Sequence, residues 1–143
     1  MVKIRLARSS DEAELVRMRS ALWSDAAADE LGQLDASTLP QTTFVAEGDG
    51  SLAGFVDVGL RSHADGCDSS HAVGFIEGWY VKESVRAQGI GRQLIVAAEK
   101  WARKQGCREM ASDTWIANEP SQRAHEALGY EVVDRCVHYR KPL

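Results

Sequence analysis

Apolar and polar residues alternate through "VKIRLA" (Val2–Ala7), the period of a half-buried strand. The spacing then changes. In "SSDEAELVRMRSALW" the apolar residues Leu15, Met18 and Leu22 recur at helical intervals, and Ser9 with Glu12 offers a capping box at the start. A second, polar helical piece is expected over Ala26–Ala36. "TTFVAEG" and "LAGFVDVGLR" read as strands joined by the turn residues "GDGS", an antiparallel hairpin. Arg61–His71 is a polar loop, and the apolar run Ala72–Val81 predicts a long strand central in a sheet. A helix follows from Gly89 to Gln105, with Ile90, Leu94, Ala97 and Trp101 on one face, Arg92, Glu99 and Arg103 on the other, and Gly106 as its stop. "CREMASDT" is a short strand. Asn118 can cap a last helix with Pro120 in its first turn, ending at Gly129, and "YEVVDRCVHYRK" is expected to close the chain as a strand or hairpin.

The predicted order, β-α-α-β-β-β-α-β-α-β, concentrates hairpins early and crossover helices late. That distribution predicts one mixed sheet with helices packed on it, an α/β (α+β) domain spanning residues 1–143. The length suits one ordinary domain with a core of its own. A net charge of −4, with 17 basic residues scattered along the chain, argues against nucleic acid as a partner. The mild acidic excess suits a cationic substrate. Cys67, Cys107 and Cys136 are an odd number without a C-x-x-C pair, which reads as reduced thiols. "MVKIRLARSSDE" lacks the apolar core of a signal peptide, and no apolar run reaches the roughly 18 residues that span a bilayer. A cytoplasmic protein without a membrane partner is expected.

Val85–Leu94, "VRAQGIGRQL", places glycines where a strand gives way to a helix. A phosphate loop of the form G-x-x-x-x-G-K-[ST] is absent, and G-x-G-x-x-G fails at Leu94. The run Arg86–Gly91 does match R/Q-x-x-G-x-G/A. Exposed N–H groups at a helix start, with the helix dipole behind them, make an anion site, and Arg86 and Arg92 add charge beside it. The same glycines would also serve simply to relax a tight junction.

This loop resembles the acetyl-CoA loop of the GNAT superfamily of N-acetyltransferases, and "NEPSQRAHEALGYE" resembles the superfamily's late N-x-x-A-x-x-x-Y-E-x-x-G-F segment. "LRSHADGCDSSHAVGFIEGWYV", "GCREMASDT" and "HEALGYE" look more closely like the aminoglycoside 6′-N-acetyltransferases of that superfamily. The resemblance implies transfer of acetyl from acetyl-CoA to an aminoglycoside amine in a ternary complex, conferring antibiotic resistance. Another small-molecule amine or a peptide N-terminus is the alternative acceptor, and an acetyl-CoA-binding regulatory domain the non-enzymatic one.

It also implies roles. A distortion of the long strand near Gly78–Tyr80 would release a backbone N–H toward the thioester, and Trp79, Tyr80 and Val81 would border the pantetheine arm. Arg86, Gln88, Gly89, Ile90, Gly91 and Arg92 would take the pyrophosphate, with Asn118 and Ser121 as further cofactor contacts. Glu77, an acid inside an apolar strand, and Asp113 are candidates to accept a proton from the amine or to hold ammonium groups. His125 falls where many members place an acid tyrosine and could donate near neutrality, although a helical histidine is more often a packing or hydrogen-bonding residue. Trp23, Asp65, Asp68, Trp115 and Glu119 would line the substrate mouth, Trp23 being alternatively core. His63, Cys67 and His71 with Asp65 do not match structural zinc spacing, so no metal is expected. The C-terminal "VVDRCVHYRK" could offer an exposed strand to a second copy, giving a homodimer.

Overall fold

The computed structural model describes residues 1–23 and 39–143, and the helical piece expected over 26–36 lies outside them. The described elements are β1 (Lys3–Leu6), α1 (Glu12–Leu22), β2 (Gln41–Gly48), β3 (Ser51–Arg61), β4 (Val73–Val81), α2 (Ile90–Lys104), β5 (Met110–Ser112) and α3 (Glu119–Ala127). The five strands form one sheet in the order β1-β2-β3-β4-β5. Pairing is antiparallel from β1 to β4 and parallel between β4 and β5, so the sheet is mixed, as the order of elements predicts.

The β2–β3 hairpin turns on Asp49 (φ 51°) and Gly50 (φ 80°), between the paired residues Gly48 and Ser51. Positive φ at both central residues is the turn whose twist matches its strands, and Asp-Gly is the dipeptide that tolerates it. Alternation along the strands then divides the core. Ala46, Val56, Val58 and Ile76 face α2, where Ile90, Leu94, Ile95 and Ala98 are buried. Val45, Leu52 and Phe55 point the other way, against Leu15 and Met18 of α1. Helices cover both faces, so β3 is buried almost end to end. The buried stripe of α2 is turned slightly from the expected one: Ile95, Ala98 and Ala102 are interior, while Ala97 and Trp101 are half-buried at its margin.

Two local expectations change. The chain enters α1 through a 3-10 turn at Ser9–Asp11, and Asp11 rather than Ser9 organises it. The Asp11 carboxylate accepts from the Arg8 N–H at 2.7 Å and takes both terminal nitrogens of Arg5 at 2.8 and 3.0 Å. A carboxylate binds an amide and a guanidinium together, which a hydroxyl does less strongly. The C-terminal residues, from Tyr130 onward, form no strand. The neighbouring edge strand β5 is only three residues long and gives them little ladder to extend. Val133 lies instead against Gly66, where an added Cβ would meet it at 2.8 Å.

Arg5 and the Arg8 amide hold the Asp11 carboxyl below the usual aspartate range, at about 2. A depressed folded-state pKa contributes stability that is fully present above the unfolded value of about 3.9 and is lost as pH falls through the folded one. Urea unfolding from pH 5 down to pH 2 should therefore show a steady loss of stability, and Asp11→Asn should be less stable at pH 5 and flatter over that interval.

Candidate active site

The register between β3 and β4 shifts at one point: Asp57 pairs with Gly78 and Val58 with Ile76, leaving Glu77 as an extra residue on β4. The bulge changes which edge the amides face. Gly74 N–H donates to Glu109 O on the β5 side, whereas Lys82 N–H donates to Ala53 O on the β3 side. Strand alternation carried back from Lys82 turns the N–H groups of Trp79 and Val81 toward β5. β5 pairs only with Gly74–Ile76 and then ends, so the two strands part beyond the bulge. The expected distortion thus falls at Glu77, and the amides it reorients include that of Trp79.

On the α2 side of the parting lies a groove of about 380 Å³, a size suited to a small-molecule site. Trp79, Tyr80 and Val81 form one wall and Arg86, Gly89, Ile90 and Gly91 another, with Asn118 and Ser121 of α3 opposite. Leu22, Val85, Ala87, Pro120 and Ala124 complete it. These five carry no polar signal in sequence, and their place follows from packing alone. Gly89 caps α2 in the left-handed region (φ 80°), and no side chain caps the helix, so its first amides are left for another acceptor. Ala87 is also left-handed (φ 65°), an uncommon conformation for a residue with a Cβ. An added Cβ at Gly91 would come within 3.1 Å of the Trp79 ring. The buried Trp79 Nε1 is without a hydrogen-bond partner among the described residues. An uncapped 15-residue helix, glycines where a ligand would approach and an orphaned donor fit a phosphate-bearing cofactor. Gln88 and Arg92 stand outside the groove lining. Arg92 donates to Ala127 O at 3.3 Å, and Arg86 donates from Nε to Val81 O at 2.8 Å.

His125 lies behind Trp79, edge to face with ring centroids 5.2 Å apart. Its Nδ1 donates to Ser121 O at 2.7 Å, because a carbonyl can only accept. In the neutral ring Nε2 is therefore the acceptor, and the Ser112 hydroxyl donates to it at 2.8 Å. Tyr130 meets the same imidazole edge to face, with ring centroids 5.9 Å apart, and donates to Glu99 at 2.7 Å. Burial, then the Glu99 carboxylate, raises the Tyr130 phenol well above the ordinary tyrosine range, so it stays protonated.

Glu77 and Asp113 lie on the opposite face. Arg61 grips Glu77 with Nε to Oε1 and Nη2 to Oε2, both 2.8 Å, and its guanidinium sits 3.5 Å from the Phe75 ring centroid. Asp113 has no hydrogen bond from a described residue; surrounding protein raises its carboxyl above the usual range, while Arg61 pulls it down. The Trp23 ring covers Gly78, where a Cβ would stand 2.8 Å from its Cζ2, and it meets Phe55 edge-on at 6.5 Å. Both the core and the mouth expectations for Trp23 touch this position. Asp65, Asp68, Trp115 and Glu119 are exposed. Asp68 is engaged within its own loop by Ser70, and Glu119 pairs loosely with Arg123 at 3.9 Å. Among the described residues no group of three or more His, Cys, Asp or Glu could hold a metal ion.

The family model described as Acetyltransferase (GNAT) family matches residues 10–130. The aminoglycoside N(6′)-acetyltransferase type 1 of Stenotrophomonas maltophilia is 39% identical over 98% of this chain and 93% of its own. The protein of that name from Klebsiella aerogenes is 40% identical over 98% and 96%. Among solved structures, AAC(6′)-Iy in complex with the bisubstrate analog CoA-S-monomethyl-acetylneamine superposes with a TM-score of 0.84 at 36% identity, covering 100% of this chain and 99% of that one. AAC(6′)-Iy in complex with CoA gives 0.81 at 39%, over 99% and 100%.

Gly78 leaves no room for a Cβ beneath the Trp23 ring. Gly78→Ala should push Trp23 off the sheet, red-shift tryptophan emission and cost about 1–3 kcal/mol in urea unfolding. Adding Trp23→Ala should recover part of that loss, since the clash goes with the ring.

Proposed function

The chain belongs to the acetyltransferase (GNAT) family, and on that premise we propose that it is an acetyl-CoA-dependent aminoglycoside 6′-N-acetyltransferase, acting by direct attack of the amine in a ternary complex and conferring resistance. The observation that carries this is the parting of β4 from β5, with a groove suited to phosphate on one face and a pair of carboxylates on the other. Relatives named for this activity align over nearly the whole chain, which also supports a single catalytic domain over residues 1–143.

Acetyl-CoA supplies an acyl thioester already activated toward amines. The first turn of α2 and the loop before it would hold its pyrophosphate, through backbone amides and the helix dipole. Trp79 N–H faces the parting and is the backbone donor available to a carbonyl oxygen there; a fixed amide needs no reorganisation as charge develops. On the other face Asp113 would hold the amine as its ammonium and receive its proton directly or through water. The raised pKa direction brings Asp113 nearer to neutrality, the sense that favours a proton acceptor. His125 has both ring nitrogens engaged, Nε2 as an acceptor in the neutral ring, so it could give up a proton from Nε2 only as the imidazolium, with the Ser112 hydroxyl turned to accept it.

Purified protein with acetyl-CoA should release free thiol when kanamycin or tobramycin is added, with acetylation at the 6′ nitrogen by NMR. No release with any of several aminoglycosides, or faster turnover of spermidine or a peptide N-terminus, would sink the assignment. Expression in a susceptible bacterium should raise its tolerance of the drugs that are turned over.

We assign the assembly as a cytoplasmic homodimer on related grounds. β5 leaves the edge of the sheet open, and Val132, Val133, Val137 and Tyr139 are exposed along the tail that passes beside it. Light scattering at micromolar concentration should give twice the chain mass, and a monomer would remove the assignment.

A further inference from the structure

Charge on the carboxylate face is not shared evenly. Arg61, the last residue of β3, spends both arms of its fork on the two oxygens of Glu77 and lies flat against Phe75. Asp113, at the end of β5, receives no such bond. The three groups interact electrostatically: Arg61 acts on Glu77 and on Asp113, and the two carboxylates act on each other. The local charge is therefore −1 rather than −2. Arg61 is the last residue before the polar loop, its side chain is 43% exposed, and among the described residues Glu77 and Phe75 are its hydrogen-bond and ring partners. A partly exposed guanidinium on a flexible stem can be exchanged for another cation at modest cost.

We propose that Arg61 is a specificity-determining residue of the acceptor site, a built-in cation that occupies the Glu77 ammonium position and that a polycationic acceptor must displace. The inference rests on the proposed amine-acetylating function. An acceptor with one ammonium group meets Asp113 alone and leaves Arg61 in place. An acceptor with several can offer a second ammonium to Glu77, and it gains that contact only against the Arg61 fork. The fork thereby holds back affinity for polycations in general and favours those whose ammonium spacing matches the Asp113–Glu77 pair.

Calorimetric titration of kanamycin A into wild type, Arg61→Met and Arg61→Gln, all checked for an unchanged melting transition, reads this directly. Either neutral variant that folds should bind about 2- to 5-fold more tightly at low ionic strength, the range for a partly exposed charge, with the gain shrinking at high salt. The gain should vanish when Glu77→Gln is added to both proteins, because the displaced contact is then gone. The NMR titration of the Asp113 carboxyl carbon should shift to higher pH in the neutral variants and stay near wild type in Arg61→Lys. Arg61, Glu77, His125 and His138 are the charged groups acting on Asp113, and only the first changes. Unchanged or weaker binding by a folded neutral variant, or a gain that survives Glu77→Gln, would overturn the proposal. If kanamycin neither binds nor is acetylated by wild type, the functional assignment falls. The same comparison with spermine and the Asp113 titration then still decides the role of Arg61.

Discussion

One residue too many on β4 governs the rest of the molecule. Because Glu77 has no opposite number on β3, the amides beyond it change edge, and β4 continues past the end of β5 with its hydrogen-bonding edge unpaired. An open edge inside a sheet is costly when nothing completes it, since buried amides need acceptors. Here the edge borders a groove, and the uncapped start of α2 opens onto the same space. A strand edge and a helix end are both unfinished in one place, and a single extended ligand carrying amides and phosphates would complete both.

The bulge also sorts chemistry between the two faces. Trp79 faces α2 and α3, where His125, Ser112 and Tyr130 form a closed set of hydrogen bonds and ring contacts. Glu77 and Asp113 stand on the face that Trp23 and the polar loop border. The two carboxylates and the His125 set thereby stand on opposite faces of the sheet. Separate environments can then hold Asp113 raised and Tyr130 firmly protonated in one small domain.

Ion pairs flank the apolar contact between α1 and the sheet beside the gap. Arg19 reaches from α1 to Asp57, the residue opposite Gly78, at 2.7 and 3.0 Å, and Thr43 adds its hydroxyl to the same carboxylate. Glu14 accepts from the Leu52 N–H and from Lys82 just beyond β4. Helix α1 is thus tied to the sheet on both sides of the bulge, and partial burial makes such pairs less sensitive to salt than surface ones.

Local pattern was enough wherever the physics is local. The Asp-Gly hairpin, the extent of α2, the Asn118 cap of α3 and the glycine-led junction at Gly89 all depend on residues within a few positions of one another, so the chain's own order displays them. The helix entry at Asp11 escaped because a carboxylate near a guanidinium competes with a hydroxyl cap, and Arg5 is brought alongside only when β1 folds back. The tail escaped because a strand exists only with a partner, which alternation of apolar residues cannot supply. Glu77 was conspicuous as an acid in an apolar run, but its bulge is a relation between two strands, and its pairing with Arg61 joins residues 16 apart. Sequence by itself determined the mixed sheet, its flanking helices and the residues able to carry charge. Tertiary structure alone decided which of those charges are spent on each other, because that depends on distances set by register and packing rather than on order along the chain.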